Sequence, residues 1–378
     1  MSSFQVGTLI GKGGEGSVYS VVGNPNEVFK EFDPIKLTPT KRSGLLMKLN
    51  YMYSNQPKLK NNAENKLAWP TFVVVDGLGN LEGYIMPRLH LNMRVHDVHE
   101  KQDFDNMLNM IVASNLCGFV DDMHRNNIVI GDFNHGNVGV FAEAGNPRSG
   151  VVSMMDCDSF HLEKGKYPCV MGYEGYISPE HLKRMDSLKS VYYDVPIPTF
   201  TKNTDLFALA VHVFRLLMGS VSPFNGVDTS NKGASSAVAS RGDDSIRKGL
   251  YVLKAGITPF DVGTPPACIL SDELINLFNR AFVTGEPRLL AGQKSGELTY
   301  HENEIVRPTA LEFQRAVDNY ISQQSVCFMD DTHYYYKSLI SCPWCEQEER
   351  NLYWKTQRRI ISSFGHKDMP SWRVRRWQ

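Results

Sequence analysis

The sequence predicts an α+β protein with two lobes, the first rich in strands and the second rich in helices. Two observations predict this class. Short apolar stretches with strand character, separated by glycine-rich turns, occupy much of residues 4–89. After them, apolar residues recur at helical intervals through most of the chain. A strand-rich start followed by a helix-rich body is typical of α+β architecture.

The elements follow from local patterns in chain order. Strands are predicted around the glycine-rich turn and on both sides of the Asp76–Gly79 turn, within 4–31, 71–75 and 82–89. Helical spacing of apolar residues predicts helices at 41–53, 103–125, 204–219, 271–283 and 308–322. The stretch 225–247 is polar and rich in Ser, Gly and Asp, so it predicts a surface insertion.

Composition excludes several function classes. Of the 378 residues, 42% are hydrophobic and 21% are charged, and the formal net charge is -1, so no bias toward nucleic acid or membranes is expected. The sequence contains no apolar run long enough to span a membrane. The N-terminus lacks the basic start and apolar stretch of a secretion signal, and therefore a cytoplasmic location is expected.

A glycine-rich segment near the N-terminus has the pattern G-x-G-x-x-G-x-V, formed by Gly11, Gly13, Gly16 and Val18, with Gly14 as a further glycine at a variable position. Glycines lack a Cβ, so backbone amides can approach phosphate oxygens. The pattern alone also fits a strand–turn–strand without function or a dinucleotide-binding turn. A strand carrying a lysine follows the glycines instead of a good helix, which disfavours the dinucleotide-binding turn.

That strand places Val28, Lys30 and Phe32 on one face, because side chains alternate along a strand. A lysine between apolar neighbours is costly unless its ammonium meets an anion, here the nucleotide phosphates. Considered alone, Lys30 is better explained as an ordinary edge-strand lysine.

Two acidic motifs follow the predicted helix 103–125. Asp132 precedes Asn137 by five positions, which suits a loop in which Asp132 takes a hydroxyl proton and Asn137 binds a metal. An apolar strand at 151–155 delivers Asp156, a suitable Mg²⁺ ligand because magnesium prefers carboxylate oxygen. Further along come Ser178-Pro179-Glu180, then Asp205 near a helix start, and then Arg307.

The order of these motifs resembles the protein kinase superfamily over about residues 5–322. The resemblance implies a bilobal fold with ATP and Mg²⁺ in the cleft. It implies that Lys30 and the glycine loop hold the phosphates, with Asp132 and Asn134 in the catalytic loop and Asn137 and Asp156 on the metal. The remaining nucleotide-binding positions that it implies are Val18, Val28, Met86 at the gatekeeper position, and Pro87 and Leu89 in the hinge. It also implies a buried Glu180–Arg307 ion pair.

A narrower resemblance is carried by segments such as Gly83–Pro87, Ile130–Asn134 and Met155–Phe160. They look like an atypical family of bacterial Ser/Thr kinases, encoded beside von Willebrand-type and PP2C-phosphatase proteins in tellurium-resistance-like stress operons. This resemblance implies a protein substrate, a role in bacterial stress or defence signalling, and those two proteins as candidate partners.

Several positions depart from the kinase pattern. Gly131 replaces the arginine that usually precedes the catalytic Asp, Asn134 replaces a lysine, and Cys157-Asp158 replaces Phe-Gly. The predicted helix 41–53 has no Glu to pair with Lys30: Met47 lies about where one is expected, and Glu64 is a possible substitute. These departures keep open a nucleotide-binding pseudokinase that acts as a scaffold, and transfer of another part of the nucleotide, such as AMP.

Near the C-terminus, Cys327, His333, Cys342 and Cys345 have a spacing that suits a tetrahedral Zn²⁺ site. Three thiolates and one imidazole with no open position favour a structural role. The alternative is a set of buried thiols and a chance histidine. We expect the apolar residues between the ligands to pack on the helical lobe: Tyr334, Tyr335, Tyr336, Leu339 and Ile340.

The predicted organisation has four parts: an N-lobe at 1–88, a C-lobe at 89–322, a zinc-binding module at 323–350 and a tail at 351–378. The tail mixes basic and aromatic residues, which can bind nucleic acid. The chain is not basic overall and the patch is short, so docking of the tail on the kinase is the favoured interpretation.

Overall fold

The fold was examined in a computed structural model of the chain. The structure describes residues 4–60, 67–100, 105–162, 165–189, 199–229, 242–261, 263–283 and 306–351. Glu64 and, apart from Asn351, the whole predicted tail lie outside these residues.

The N-terminal part is a five-stranded antiparallel sheet with the order β1-β2-β3-β5-β4. Its strands are β1 (Val6–Lys12), β2 (Gly16–Val21), β3 (Asn24–Phe32), β4 (Phe72–Val75) and β5 (Leu81–Pro87). In the centre of the sheet, Lys30 lies opposite Val18 on one side and Tyr84 on the other. The strand-rich start predicted from the sequence is therefore present.

Helix α1 (Pro39–Ser54) packs against β4 and β5. It begins where the Thr38 side chain accepts a hydrogen bond from the Lys41 amide, with Pro39 in the first turn, where its missing N–H costs nothing. Its buried positions are Lys48, Leu49 and Met52. Helix α1 therefore presents a lysine, as well as apolar side chains, to the interior.

The rest of the chain is mainly helical. Between residues 93 and 189 its elements are β6 (Met93–Arg94), α2 (Val95–Glu100), α3 (Asn106–Arg125), β7 (Val138–Glu143), β8 (Asn146–Met154) and α4 (Pro179–Lys189). The later elements are α5 (Lys202–Leu217), β9 (Gly226–Asp228), α6 (Gly242–Arg247), β10 (Ile257–Pro259), α7 (Asp272–Phe282) and α8 (Ala310–Ser322). Strands β6, β7 and β8 form an antiparallel sheet, and β9 pairs with β10.

Helices α3 and α5 form the centre of this helical part. Helix α5 buries side chains on nearly all sides, as expected for a helix inside a lobe. Helix α3 packs against α5, α8 and β8. One continuous apolar core runs from Met52 and Trp69 in the N-terminal part to Phe214 and Phe313 in the helical part. In the described ranges, no helix combines the length and the apolar character needed to cross a membrane.

After α8 comes a small hairpin of β11 (Gln324–Val326) and β12 (Tyr334–Tyr336), and residues 343–351 that follow it are helical. Trp344 is 5% exposed and belongs to the main core, and its indole N–H donates to the Tyr334 carbonyl at 2.9 Å. The Tyr334 amide donates to Asn106 Oδ1 at 2.7 Å, which attaches the hairpin to the start of α3. The predicted packing of Tyr334, Tyr335 and Tyr336 on the helical part is observed.

One expectation from the sequence is wrong in part and another is wrong. Of the stretch predicted as a surface insertion, residues 230–241 lie outside the described residues, but its two described ends contain β9 and α6, and α6 packs on α4 with Ser245 and Ile246 buried. Ser, Gly and Asp dominate its composition, and the single buried apolar residue of α6, Ile246, does not form the repeating apolar pattern that predicts a helix. Ile340 does not pack on the core but is fully exposed, because it follows the turn after β12 instead of lying in the hairpin.

Candidate active site

The glycine loop joins β1 and β2 at the edge of the cleft. The Gly13 amide donates to the Gly16 carbonyl at 2.8 Å and closes the turn. A Cβ on Gly16 would lie 2.1 Å from the Glu31 carbonyl oxygen, so Gly16 is required for pairing with β3. A Cβ on Gly11 or Gly14 would meet no atom within 4 Å, so this chain's own packing does not require glycine there. Open space beside those two glycines suits the approach of a phosphate.

Lys30 extends from β3 into the interior, where it is 6% exposed. Its Nζ donates to both oxygens of Asp158, at 2.8 and 3.0 Å, and to Asp156 Oδ1 at 3.1 Å. Burial alone would lower the pKa of Lys30, but the two carboxylates outweigh burial and raise it above its ordinary value. Lys30 is therefore a fixed cation with two acidic partners.

The carboxylates beside Lys30 are ones that the sequence did not identify as its partners. Met47 is 56% exposed, and Glu64 lies outside the described residues, so pairing of Glu64 with Lys30 stays a prediction. Among the described residues Asp158 is the buried partner, and the Tyr84 hydroxyl also donates to Asp158 Oδ1 at 2.8 Å. Because Tyr84 lies opposite Lys30 in the sheet, adjacent strands bring both donors to one carboxylate.

Asp132, Asn134 and Asn137 converge in the loop between α3 and β7. Asn134 Nδ2 donates to Asp132 Oδ1 at 3.0 Å, and Asn137 Nδ2 lies 3.3 Å from Asp132 Oδ2 and 3.0 Å from its carbonyl oxygen. Asn134 is 5% exposed and its Oδ1 accepts from the Gly136 amide at 2.8 Å. Asn134 therefore orients the Asp132 carboxylate.

The pKa of Asp132 is raised, chiefly by burial and against the hydrogen bonds from Asn134 and Asn137. The negative charge of Asp156 also raises it. A carboxylate with a raised pKa accepts a proton more readily, which suits a general base.

The backbone that carries Asp132 is held by Asp205 at the start of α5. Its carboxylate accepts from the Ile130 amide at 2.7 Å and the Gly131 amide at 2.9 Å, and His124 Nε2 lies 3.1 Å away. Gly131 has φ +76°. A Cβ there would lie 2.7 Å from Cys169, so the position requires glycine both for its conformation and for close approach.

Asp156 directly follows Met155 at the end of β8 and adopts left-handed backbone angles, with φ 49° and ψ 42°. The Met155 amide donates to the Asn137 carbonyl at 2.9 Å, which holds the two segments together. The Asp156 side chain is 56% exposed. Asn137 uses its amide nitrogen on Asp132, so its side-chain oxygen is the atom left for a cation. One carboxylate and one amide oxygen are donors that suit Mg²⁺.

The positions expected to contact adenine lie on the sheet and at its exit. Val28 and Met86 are buried and lie opposite each other on β3 and β5. Val18, Pro87 and Leu89 are half-buried. The structure thus places all five on β2, β3, β5 and the segment that follows β5.

Glu180 and Arg307 form the buried pair that the resemblance implied. Arg307 donates through both terminal nitrogens to Glu180, at 2.7 and 2.8 Å, and also to the carbonyl oxygens of Asn203 and Ala281, each at 3.2 Å. The pair joins the start of α4 to the segment before α8.

Cys327, His333, Cys342 and Cys345 come together beside β11 and β12, with their ligand atoms all within 4.8 Å of one another. Cys345 Sγ lies 3.6 Å from Cys327 Sγ and 3.5 Å from His333 Nδ1, and Cys342 Sγ lies 4.0 Å from His333 Nδ1. A tetrahedral zinc with bonds of about 2.3 Å to sulfur and about 2.0 Å to nitrogen separates its ligands by roughly 3.5–3.8 Å. The donor set and spacing therefore fit one zinc ion.

The surroundings of the cluster also suit a metal. His333 faces the thiols with Nδ1, and its Nε2 lies 3.5 Å from Glu348 Oε1, the arrangement by which carboxylates orient metal-binding histidines. Burial would raise the pKa of Cys327, but hydrogen bonds from the amides of Met329 and Asp330 and from the neighbouring thiols lower it. Burial raises the pKa of both Cys342 and Cys345, so in the absence of a cation the cluster favours a mixture of thiol and thiolate. A metal ion would favour the thiolate form of all three.

Sequence reasoning missed three residues of the cleft: Asp158, Tyr84 and Lys48. The Asp-x-Asp spacing after an apolar strand could have indicated Asp158, because two carboxylates at this spacing can contact the same cation. Alternation along β5 could have placed Tyr84 on the inner face. Lys48 lies one position after Met47, and only the phase of α1 distinguishes the buried position from the exposed one.

Comparison with known proteins gives two similar relatives. The chain is 25% identical over 364 residues to Protein kinase YegI of Escherichia coli (strain K12), covering 92% of this chain and 49% of the relative. It is 25% identical over 363 residues to the protein of the same name from Escherichia coli O157:H7, with the same coverage. The chain spans about half the length of the curated relatives it matches. No protein-family model matches. The two relatives support a kinase-like superfamily.

Proposed function

We propose that the chain is an ATP-dependent protein kinase that transfers the γ-phosphoryl group of ATP to a Ser or Thr hydroxyl of a protein. The observation that carries this proposal is the meeting of Lys30, Asp156 and the Asp132 loop at one cleft, although they lie far apart in the chain. The names of the two relatives support phosphotransfer. The choice of Ser or Thr rests on the narrower resemblance.

Each side chain has a proposed role. Lys30 and the glycine loop hold phosphate oxygens, and Asn137 and Asp156 hold magnesium. Asp132 accepts the hydroxyl proton as the hydroxyl oxygen bonds to phosphorus, and Asn134 keeps that carboxylate oriented. The bond between the γ-phosphorus and the oxygen that joins it to the β-phosphate breaks, and ADP leaves. Mg²⁺ would supply charge neutralisation at the phosphates. Positioning and charge stabilisation account for most of the rate enhancement.

One experiment separates this proposal from its alternatives. The purified chain is incubated with Mg²⁺ and either γ-labelled or α-labelled ATP, with casein as a generic acceptor, and the label is assigned by phosphoamino-acid analysis. Transfer of the γ-label to Ser or Thr, lost in Asp132→Asn and retained in the surface control Asp186→Asn, is the expected result. Transfer of the α-label would indicate AMP transfer, and ATP binding without transfer would indicate a pseudokinase.

The pseudokinase remains the second candidate because of one observation. Lys30 is hydrogen-bonded to Asp156, so the carboxylate proposed for the metal is already in use in this structure. In an active enzyme this bond gives way to the metal. In a scaffold it would persist in the presence of Mg-ATP.

We propose a structural zinc at Cys327, His333, Cys342 and Cys345, because no fifth donor or open position is needed to complete a tetrahedron. A cytoplasmic role in bacterial stress or defence signalling, with a PP2C-type phosphatase and a von Willebrand-type protein as partners, is proposed from the resemblance alone. Nucleic acid and membranes have no proposed role.

A further inference from the structure

The interior face of α1 carries a cation where a carboxylate was expected. Lys48 is 7% exposed, and it precedes Met52, one helical turn later, which is fully buried. Met47 is directed outward. Helix α1 therefore supplies no carboxylate for Lys30.

The buried acidic partner of Lys30 is Asp158, whose side chain is 4% exposed. Lys30 Nζ donates to both of its oxygens, at 2.8 and 3.0 Å, and the Tyr84 hydroxyl donates to Oδ1 at 2.8 Å. Asp158 is thus an enclosed carboxylate held by a cation from β3 and a hydroxyl from β5.

Asp156 and Asp158 offer Lys30 two different kinds of partner. Asp156 is 56% exposed and accessible to a metal, whereas Asp158 is enclosed and already accepts three hydrogen bonds. When Asp156 is bound elsewhere, Asp158 still holds Lys30. Asp158 is therefore the permanent partner, and Asp156 is the exchangeable one.

We propose that Asp158 is the positioning residue that orients Lys30 toward the nucleotide phosphates. This inference rests on the proposed function. Helix α1 carries no acidic residue, so the segment after β8, and not α1, supplies this carboxylate. Asp156, proposed for the metal, and Asp158, proposed for Lys30, are two residues apart, so one short segment positions both carboxylates.

The first test is kinetic. Asp158→Asn removes the charge at nearly constant volume. We expect this variant to lower kcat/KM for ATP by at least about tenfold, the effect of losing a charge-assisted contact.

Equilibrium binding provides a readout that does not require catalysis. Dissociation constants for ATP and adenosine are measured by displacement of a fluorescent nucleotide. Asp158→Asn should weaken ATP by about tenfold and leave adenosine unchanged, because Lys30 meets phosphates and not the base. Tyr84→Phe, which removes one hydrogen bond from Asp158 without changing charge, should weaken ATP in the same selective way but less.

The outcomes distinguish the inference from the proposed function. If the unchanged protein binds ATP without transferring phosphate, the proposed kinase function is refuted, but the binding measurements still test the role of Asp158. Equal weakening of ATP and adenosine, or unchanged ATP binding, in Asp158→Asn and Tyr84→Phe would overturn the role of Asp158. Absence of ATP binding by the unchanged protein would overturn both.

Discussion

The Glu180–Arg307 pair gives a prediction that is independent of catalysis. Glu180→Gln removes the negative charge from a pair in which the Arg307 side chain is 1% exposed and that of Glu180 is 12% exposed. Arg307 keeps its two carbonyl acceptors, and the new amide oxygen can accept one of the two lost bonds. After the substitution the buried Arg307 guanidinium has no counter-charge, but it keeps part of its hydrogen bonding.

The expected loss follows from that geometry. Removing one member of a buried ion pair typically costs about 3–5 kcal/mol. Because Arg307 keeps part of its hydrogen bonding, we expect the lower end, about 3 kcal/mol of unfolding free energy. Asp186, on the same helix as Glu180, pairs with Arg247 at 2.7 Å, and the two side chains are 45% and 30% exposed. Asp186→Asn is therefore the matched control and should cost under about 1 kcal/mol.

Urea denaturation at neutral pH, followed by tryptophan fluorescence, measures both variants. The pH dependence adds a second check. Arg307 outweighs the effect of burial and holds the pKa of Glu180 below its ordinary value. The stabilisation is then fully present above the unfolded pKa of about 4.3 and is lost as the pH falls through the lower folded pKa. The difference between the unchanged protein and Glu180→Gln should stay constant from pH 8 to about pH 5.5 and shrink below about pH 4. A loss no larger than that of Asp186→Asn would refute the reasoning.

Three further predictions concern the metal sites and the catalytic loop. Elemental analysis should find one zinc per chain, and the Cys342→Ser/Cys345→Ser variant should lose it, expose the segment after Ser322 to protease and still bind ATP. Gly131→Ala should lower the unfolding free energy by about 2 kcal/mol in urea denaturation, because a non-glycine residue is strained at that φ and its Cβ would meet Cys169. Asp156→Asn should abolish Mg²⁺-dependent transfer of γ-label while leaving the denaturation midpoint nearly unchanged.

Each of these predictions has a control in the chain. Cys268 is exposed and outside the cluster, so Cys268→Ser should keep the zinc. Gly14→Ala meets no neighbouring atom and should not change stability. Zinc-free protein purified without chelator, a Gly131→Ala variant as stable as Gly14→Ala, or full Mg²⁺-dependent activity in Asp156→Asn would contradict the respective prediction.

Local patterns in the sequence predicted most of the regular structure. The helices α1, α3, α5, α7 and α8 were expected because each carries apolar residues at helical spacing over several turns. The polar helix α4 and the short helix α6 were not expected. They are stabilised by contacts with each other and with the core, and such tertiary contacts leave little periodicity in a short segment.

The candidate site was predictable where its chemistry follows chain order and not where it depends on long-range packing. Lys30, Asp132 and Asp156 were found from motifs. The Lys30–Asp158 contact joins residues 128 positions apart, and no local pattern specifies it. The sequence showed that α1 lacks a Glu, but only the fold shows which carboxylate replaces it.

Helix α3 connects the two ends of the helical part. Its first residue, Asn106, holds Tyr334 of the cysteine-bearing hairpin, and His124 in its last turn contacts Asp205 beneath the Asp132 loop. At 1.5 Å per residue, its 20 residues span about 30 Å. A helix keeps its length, so the hairpin and the catalytic loop are held at a constant separation. If a protein bound at the hairpin, only those of its residues that extend over the length of α3 could therefore reach the Asp132 loop.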